Sequence, residues 1–240
     1  MSLHPIFELL LLGHILGDFY AQSKKMANNK VSDLKHLITH GVFYAICIAI
    51  VLFFIETTQE LLWIFLFISL SHIIVDFFKK FIKWKPFMVD QLIHAVFLYS
   101  AWKMWGELLT IRMFNIFELD YILGNWVSVI LGLLIILRPV GMLIAEGDIW
   151  DFSIIEPPPR EAQQGSGKMI GYLERVMVFF LLLNNQFGAV AFVIAAKSVT
   201  RFPEISTKNE GRSQAEYYLI GTLLSMVSVF SVALLLGIID

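Results

Sequence analysis

The 240-residue chain is 58% apolar and only 16% charged, with 21 phenylalanines, a mean hydropathy of +0.73 and a formal net charge of −2. A soluble domain carries about a quarter charged residues, so this composition excludes an ordinary water-soluble globule and makes the bilayer the expected solvent. The near-neutral charge gives no ground for a nucleic-acid partner, and a lone Cys47 excludes an internal disulfide and reads as a small buried hydrophobe.

The opening MSLHPIFELLLLGHILGDF lacks the basic n-region of a cleavable signal peptide, and Glu8, His14 and Asp18 interrupt its apolar run. It reads as a first membrane helix. Stretches able to cross about 30 Å of hydrocarbon run over 4–22, 36–56, 60–82, 88–106, 121–145 and 215–238. Between the last two, 169–200 forms two short arms around Asn184-Asn185-Gln186, either a helical hairpin or a pair of short spans. The expected fold is all-α: a polytopic membrane protein of about six transmembrane helices plus a helical hairpin. Four segments follow: a metal-binding four-helix unit at 1–106, an outer loop and fifth helix at 107–145, a cytosolic loop at 146–168, and a C-terminal hairpin with the last span at 169–240.

Orientation follows from Lys and Arg in short loops. QSKKMANNKVSDLK holds four lysines, TTQE none, and KKFIKWK four again. The first and third loops are therefore expected in the cytoplasm and the N-terminus outside.

The first half reads as an internal repeat of helical hairpins. His14 and Asp18 close the first helix, and His36 and His40 open the second. His72 and Asp76 close the third, and Asp90 and His94 open the fourth. Residues four apart share a helix face, about 6 Å apart along the axis, and this topology brings all four pairs to the cytoplasmic level. His and Asp occupy 14 of 240 positions, so one such pair is unremarkable but four at one depth are not. His4 and Glu8 share the spacing yet lie at the opposite end of their helix.

Imidazole and carboxylate donors without thiolates suit one or two divalent transition metals: zinc, with manganese or iron as alternatives. Two ions bridged by an Asp, and one ion with further residues orienting its ligands, both remain open. A metal with an open coordination position lowers the pKa of bound water to about 7, which suits hydrolysis of an ester or phosphoester; Asp18, Asp76 and Asp90 are the candidate bases. Gln22 and Gln91 stand beside the motifs as candidate substrate contacts, and Arg138, Arg175, Lys197 and Arg201 form a second set of charges able to clamp a phosphate. Ion pairing with Glu174 or Glu216, or snorkelling to headgroups, is the competing reading of those cations. GSGK at 165–168 lacks the first Gly and final hydroxyl of a phosphate-binding loop, which discounts ATP.

The series HxxxDFxxQ, HxxxH, HxxxDxxK from His72 to Lys79, and DQxxH from Asp90 to His94, resembles an uncharacterised family of bacterial and phage multi-pass membrane proteins. Gly167–Arg175 and Ala195–Phe202 look like the second half of its longer members. More distantly, the first four helices are similar to predicted membrane-bound metal-dependent hydrolases. The resemblance implies a bacterial inner-membrane protein with a helix-borne metal site and names no substrate. The expected activity is hydrolysis, at the cytoplasmic interface, of an amphiphilic phosphate- or ester-containing molecule, with membrane lipids as partners. The alternatives are a metal-ion transporter and an interaction scaffold that uses the metal as a staple.

Overall fold

The computed structural model describes residues 3–29, 33–56, 58–79, 81, 87–106, 109, 119–146, 166–200 and 208–239. Among these the fold is all-α, 87% helical and without strands. The chain divides into two compact units, Leu3–Leu134 and Ile135–Asp240.

In the first unit, α1 (Pro5–Ile15) starts where His4 accepts from the Ile6 amide and Pro5 occupies the first turn, where its missing N–H costs nothing. The helix then widens into one π-helical turn, Leu16–Tyr20, which carries Asp18. A short α2 (Lys24–Asn29) precedes α3 (Leu34–Leu52), whose start is capped by Asp33 accepting from the Lys35 amide at 2.9 Å. Next come α4 (Gln59–Phe78), α5 (Phe87–Trp105) and α6 (Leu119–Leu137), whose last three residues, from Ile135, belong to the second unit. α1 packs on α3, α3 on α4, α4 on α5 and α5 back on α1, closing a four-helix ring.

The ring is sorted along its length. An apolar cluster that includes Leu10, Ile48, Ile68 and Leu98 is buried toward the end where α1 and α4 begin and α3 and α5 finish, where Ile6, Ile64, Leu52 and Ala101 join it. The opposite end buries His14, Asp18, His40, His72, Asp76 and His94. Outward positions are apolar and exposed, among them Ile46, Ile50, Leu66, Leu70, Ile74 and Val96. Polar groups inside and large apolar groups outside is the distribution a lipid solvent selects. Leu34–Leu52, Gln59–Phe78 and Trp126–Ile144 are long and apolar enough to cross a membrane, and Phe187–Lys197 and Leu219–Leu235 are shorter apolar helices.

Close approach of α1 to α3 depends on a Gly-x-x-x-Gly pair. A Cβ on Gly17 would lie 2.6 Å from Tyr44 Cδ2 and 3.1 Å from its Cα, and one on Gly13 would lie 2.7 Å from Val51 Cγ2. Small residues at this spacing let helix backbones meet where lipid supplies no hydrophobic drive.

The second unit contains α7 (Pro139–Glu146), α8 (Ser166–Leu183), α9 (Phe187–Thr200) and α10 (Lys208–Leu235). α8 and α9 form a helical hairpin. Asn185 adopts a φ of 56°, while Gln186 N–H donates to Leu181 O at 2.8 Å and Asn185 N–H to Leu182 O at 2.9 Å. Those paired bonds satisfy the last carbonyls of α8 and turn the chain. α10 packs on α7 and α8. Most of the 146–168 loop and most of 107–120 lie outside the described residues.

Gly17→Ala is expected to destabilise the protein by about 1–3 kcal/mol through overpacking, read as a lower thermal unfolding midpoint in detergent. Gly167→Ala, whose Cβ meets nothing within 4 Å, should leave that midpoint unchanged or slightly raised.

Candidate metal centre

The C-terminal ends of α1 and α4 meet the N-terminal ends of α3 and α5, so side chains on four antiparallel helices converge at one level. Four of them, Asp18, His40, His72 and Asp76, form a buried group able to hold a metal ion. His40 Nε2 lies 3.0 Å from His72 Nε2, 3.5 Å from Asp18 Oδ1 and 3.3 Å from Asp76 Oδ2. His72 Nε2 lies 3.9 Å from Asp18 Oδ1 and 3.6 Å from Asp76 Oδ2. Ligand atoms about 2.0–2.2 Å from a tetrahedral ion stand about 3.3–3.6 Å from one another, and these five separations bracket that range. Two imidazole nitrogens facing each other among carboxylate oxygens is a donor set of the type zinc and other divalent transition metals accept.

A second group, Asp18, Asp90 and His94, shares Asp18 with the first. His94 Nε2 is 3.4 Å from Asp90 Oδ1. Lys79 Nζ stands between the carboxylates, 2.5 Å from Asp76 Oδ1 and 2.6 Å from Asp90 Oδ1. Asp76 therefore faces two ways, with Oδ2 toward the His40 and His72 imidazoles and Oδ1 toward the ammonium. Lys79 lies three residues beyond Asp76 in the HxxxDxxK motif, and its i, i+3 spacing on one helix face is the sequence signal for this contact.

Orientation of these groups comes from a hydrogen-bonded chain. Gln91 Nε2 donates to Asp18 Oδ2 at 3.0 Å, and His14 Nε2 lies 3.2 Å from Gln91 Oε1. His14 Nδ1 lies 3.2 Å from the Tyr44 hydroxyl. The consistent assignment has Tyr44 donating to His14 and His14 donating to Gln91. The Tyr44 ring also stacks on His72, centroids 3.6 Å apart and planes 5° from parallel, which fixes the imidazole plane. Tyr44 follows His40 by one helical turn, and that i, i+4 spacing is the sequence signal for its place beside the cluster.

The eight sequence-predicted ligands thus separate. Asp18, His40, His72 and Asp76 share one point, and Asp90 and His94 join Asp18 in the second group. His14 is turned toward Tyr44 and Gln91. His36 does not join them: its Nδ1 lies 2.6 Å from Asp33 Oδ2 near the start of α3. The reason is axial position, since one helical turn raises His36 above the level where His40 meets His72. Hydrogen bonds from His36 and from the Lys35 amide hold the Asp33 carboxyl below the usual carboxylate range. That contribution to the α3 cap is present above the unfolded value of about 3.9 and is lost as pH falls through the lowered folded value.

Of the two glutamines expected at the substrate, Gln91 donates to the Asp18 carboxylate and Gln22 Nε2 to the Asp18 backbone carbonyl. Among the C-terminal cations, Lys197 pairs with Glu174 at 2.5 Å, Arg175 is buried, Arg138 is exposed and Arg201 lies outside the described residues.

Residues 6–120, just under half the chain, match the model of a family described as a protein of unknown function (DUF3307). The match takes in all four polar pairs and stops short of the segments at 167–202 that carried part of the sequence resemblance. No curated protein and no solved structure matches the chain.

Replacing each histidine of the HxxxH pair separates ligand from neighbour. His40→Ala should lose bound divalent metal from the detergent-purified protein by elemental analysis, whereas His36→Ala should retain it.

Proposed function

We propose that the protein is a membrane-embedded hydrolase that uses one divalent metal ion, zinc first among the candidates, on a lipid-like ester or phosphoester at the cytoplasmic interface. The observation that carries this reading is the set of donor separations of 3.0–3.9 Å among Asp18, His40, His72 and Asp76. Those four residues would hold the ion, which would supply Lewis acidity and an acidified water. One ion is favoured over two because the Lys79 ammonium already stands against Asp76 and Asp90, where a second divalent cation would meet direct repulsion. One divalent ion and one ammonium together also match the charge of the three carboxylates Asp18, Asp76 and Asp90.

Proton handling falls to Asp90. Its side chain is 22% exposed, against 5% for Asp18 and 0% for Asp76, so it is the carboxylate a substrate can reach. His94 and Lys79 flank it and would steady its charge. Gln91, His14 and Tyr44 hold Asp18 and His72 in place. The reading keeps the six-span arrangement with lysine-bearing turns inside, which sets the site at the inner leaflet of a bacterial membrane and lets an amphiphile enter sideways from lipid. Transport is disfavoured by the apolar end of the bundle, where Leu10, Ile48, Ile68 and Leu98 fill the path an ion would need.

Purified protein should contain one equivalent of divalent metal per chain and cleave a member of a phospholipid and lipid-phosphate panel. Asp90→Asn is expected to keep the metal and lose about 10²–10⁴ in kcat. Lys79→Ala should admit a second equivalent at saturating metal. Metal uptake into proteoliposomes that disappears in His40→Ala, without cleavage of any ester, would establish transport instead.

A further inference from the structure

Arg175 is an anomaly in the second unit. The residue is 5% exposed, and its side chain runs between two helices that both present glycine to it. A Cβ on Gly141 of α7 would lie 3.3 Å from Nη2, and one on Gly171 of α8 would lie 3.3 Å from Nη1. Both ends of the guanidinium therefore border residues that have no side chain to offer. Nε donates to the Ile136 carbonyl near the end of α6 at 2.6 Å, and among the described residues this is the guanidinium's one hydrogen bond. A guanidinium carries five N–H donors, so four remain.

The adjacent acid makes no hydrogen bond to them. Glu174 is taken by Lys197 of α9 at 2.5 Å, and neighbouring residues on a helix point about 100° apart. A second cation lies on Arg175's own face instead. Lys168, Tyr172 and Arg175 succeed one another at helical spacing on α8, with Lys168 Nζ 5.6 Å and the Arg175 guanidinium 5.2 Å from the centroid of the same Tyr172 ring. One ring thus carries two positive charges. A planar fork beside an ammonium is complementary to a tetrahedral oxyanion, which it can bind through two parallel bonds.

We propose that the Lys168–Tyr172–Arg175 face of α8 is a binding site for a phosphate group, carried either by a lipid headgroup or by free phosphate. The site lies wholly within the second unit and does not depend on the metal reading. Arg175 Nη1 and Nη2 bind two oxygens, and Lys168 reaches a third.

The test follows thermal unfolding of the full-length protein in detergent. One arm titrates inorganic phosphate at constant ionic strength; the other titrates phosphatidylglycerol into mixed micelles, with diacylglycerol as the phosphate-free comparison. At least one phosphate source should raise the midpoint, as a ligand that binds the native state must, and which arm responds identifies the source. Arg175→Gln and Lys168→Gln should weaken the response about tenfold or more, whereas Lys35→Gln, a change to an exposed cation elsewhere, should leave it unaltered. Lys168 is exposed, so Lys168→Gln carries the comparison if Arg175→Gln does not fold. No shift in either arm, or equal shifts in wild type and both variants, would overturn the proposal.

Discussion

Two carboxylates and two imidazoles held within 4.8 Å of one another, away from water, set the terms for the first half of this protein. Bringing such groups out of solvent costs several kcal/mol per ion even after relaxation. Nothing about helix propensity or lipid exposure requires that cost, since apolar residues would fill the same space more cheaply. A coordinated cation would turn the crowding into a favourable term, and the four side chains form a group able to hold one. The neighbouring Lys79 ammonium applies the same electrostatic rule to Asp76 and Asp90, which divides the cluster into a region suited to a metal and a region already served by a protein cation.

Precision in such a site has to come from the scaffold. Gly13 and Gly17 bring α1 close against α3, and the residue that fills the contact at Gly17 is Tyr44. The same ring stacks on His72, and its hydroxyl meets His14. Helix spacing, imidazole orientation and the hydrogen-bonded chain to Asp18 therefore share one side chain. The π-helical turn at Leu16–Tyr20 places Asp18 on a locally widened backbone, a distortion that recurs at functional positions because it re-aims a side chain without breaking the helix.

The second unit treats charge differently. Lys197 and Glu174 neutralise each other across α8 and α9, the bland outcome for ionisable groups among apolar helices. Arg175 spends one donor on a helix-end carbonyl and keeps the rest beside Lys168 and Tyr172. Similar residues a few positions apart thus have separate roles, decided by which neighbour each can touch.

Much of this architecture is local and was legible in the chain itself. Apolar stretches, the helical hairpin around Asn184-Asn185-Gln186 and the four polar pairs all follow from hydropathy and the helical repeat, which involve residues within a few positions of one another. Burial of His40, His72, Asp18 and Asp76 at a common level follows from antiparallel helices and the placement of each pair at a helix end. What only the tertiary structure decided was membership. His36 turns to Asp33, His14 to Tyr44 and Gln91, and Lys79 enters between two carboxylates. Those choices depend on the rotation of each helix about its axis and on distances between helices of a few ångströms, quantities set by contacts between distant segments and not encoded in the spacing along any one of them.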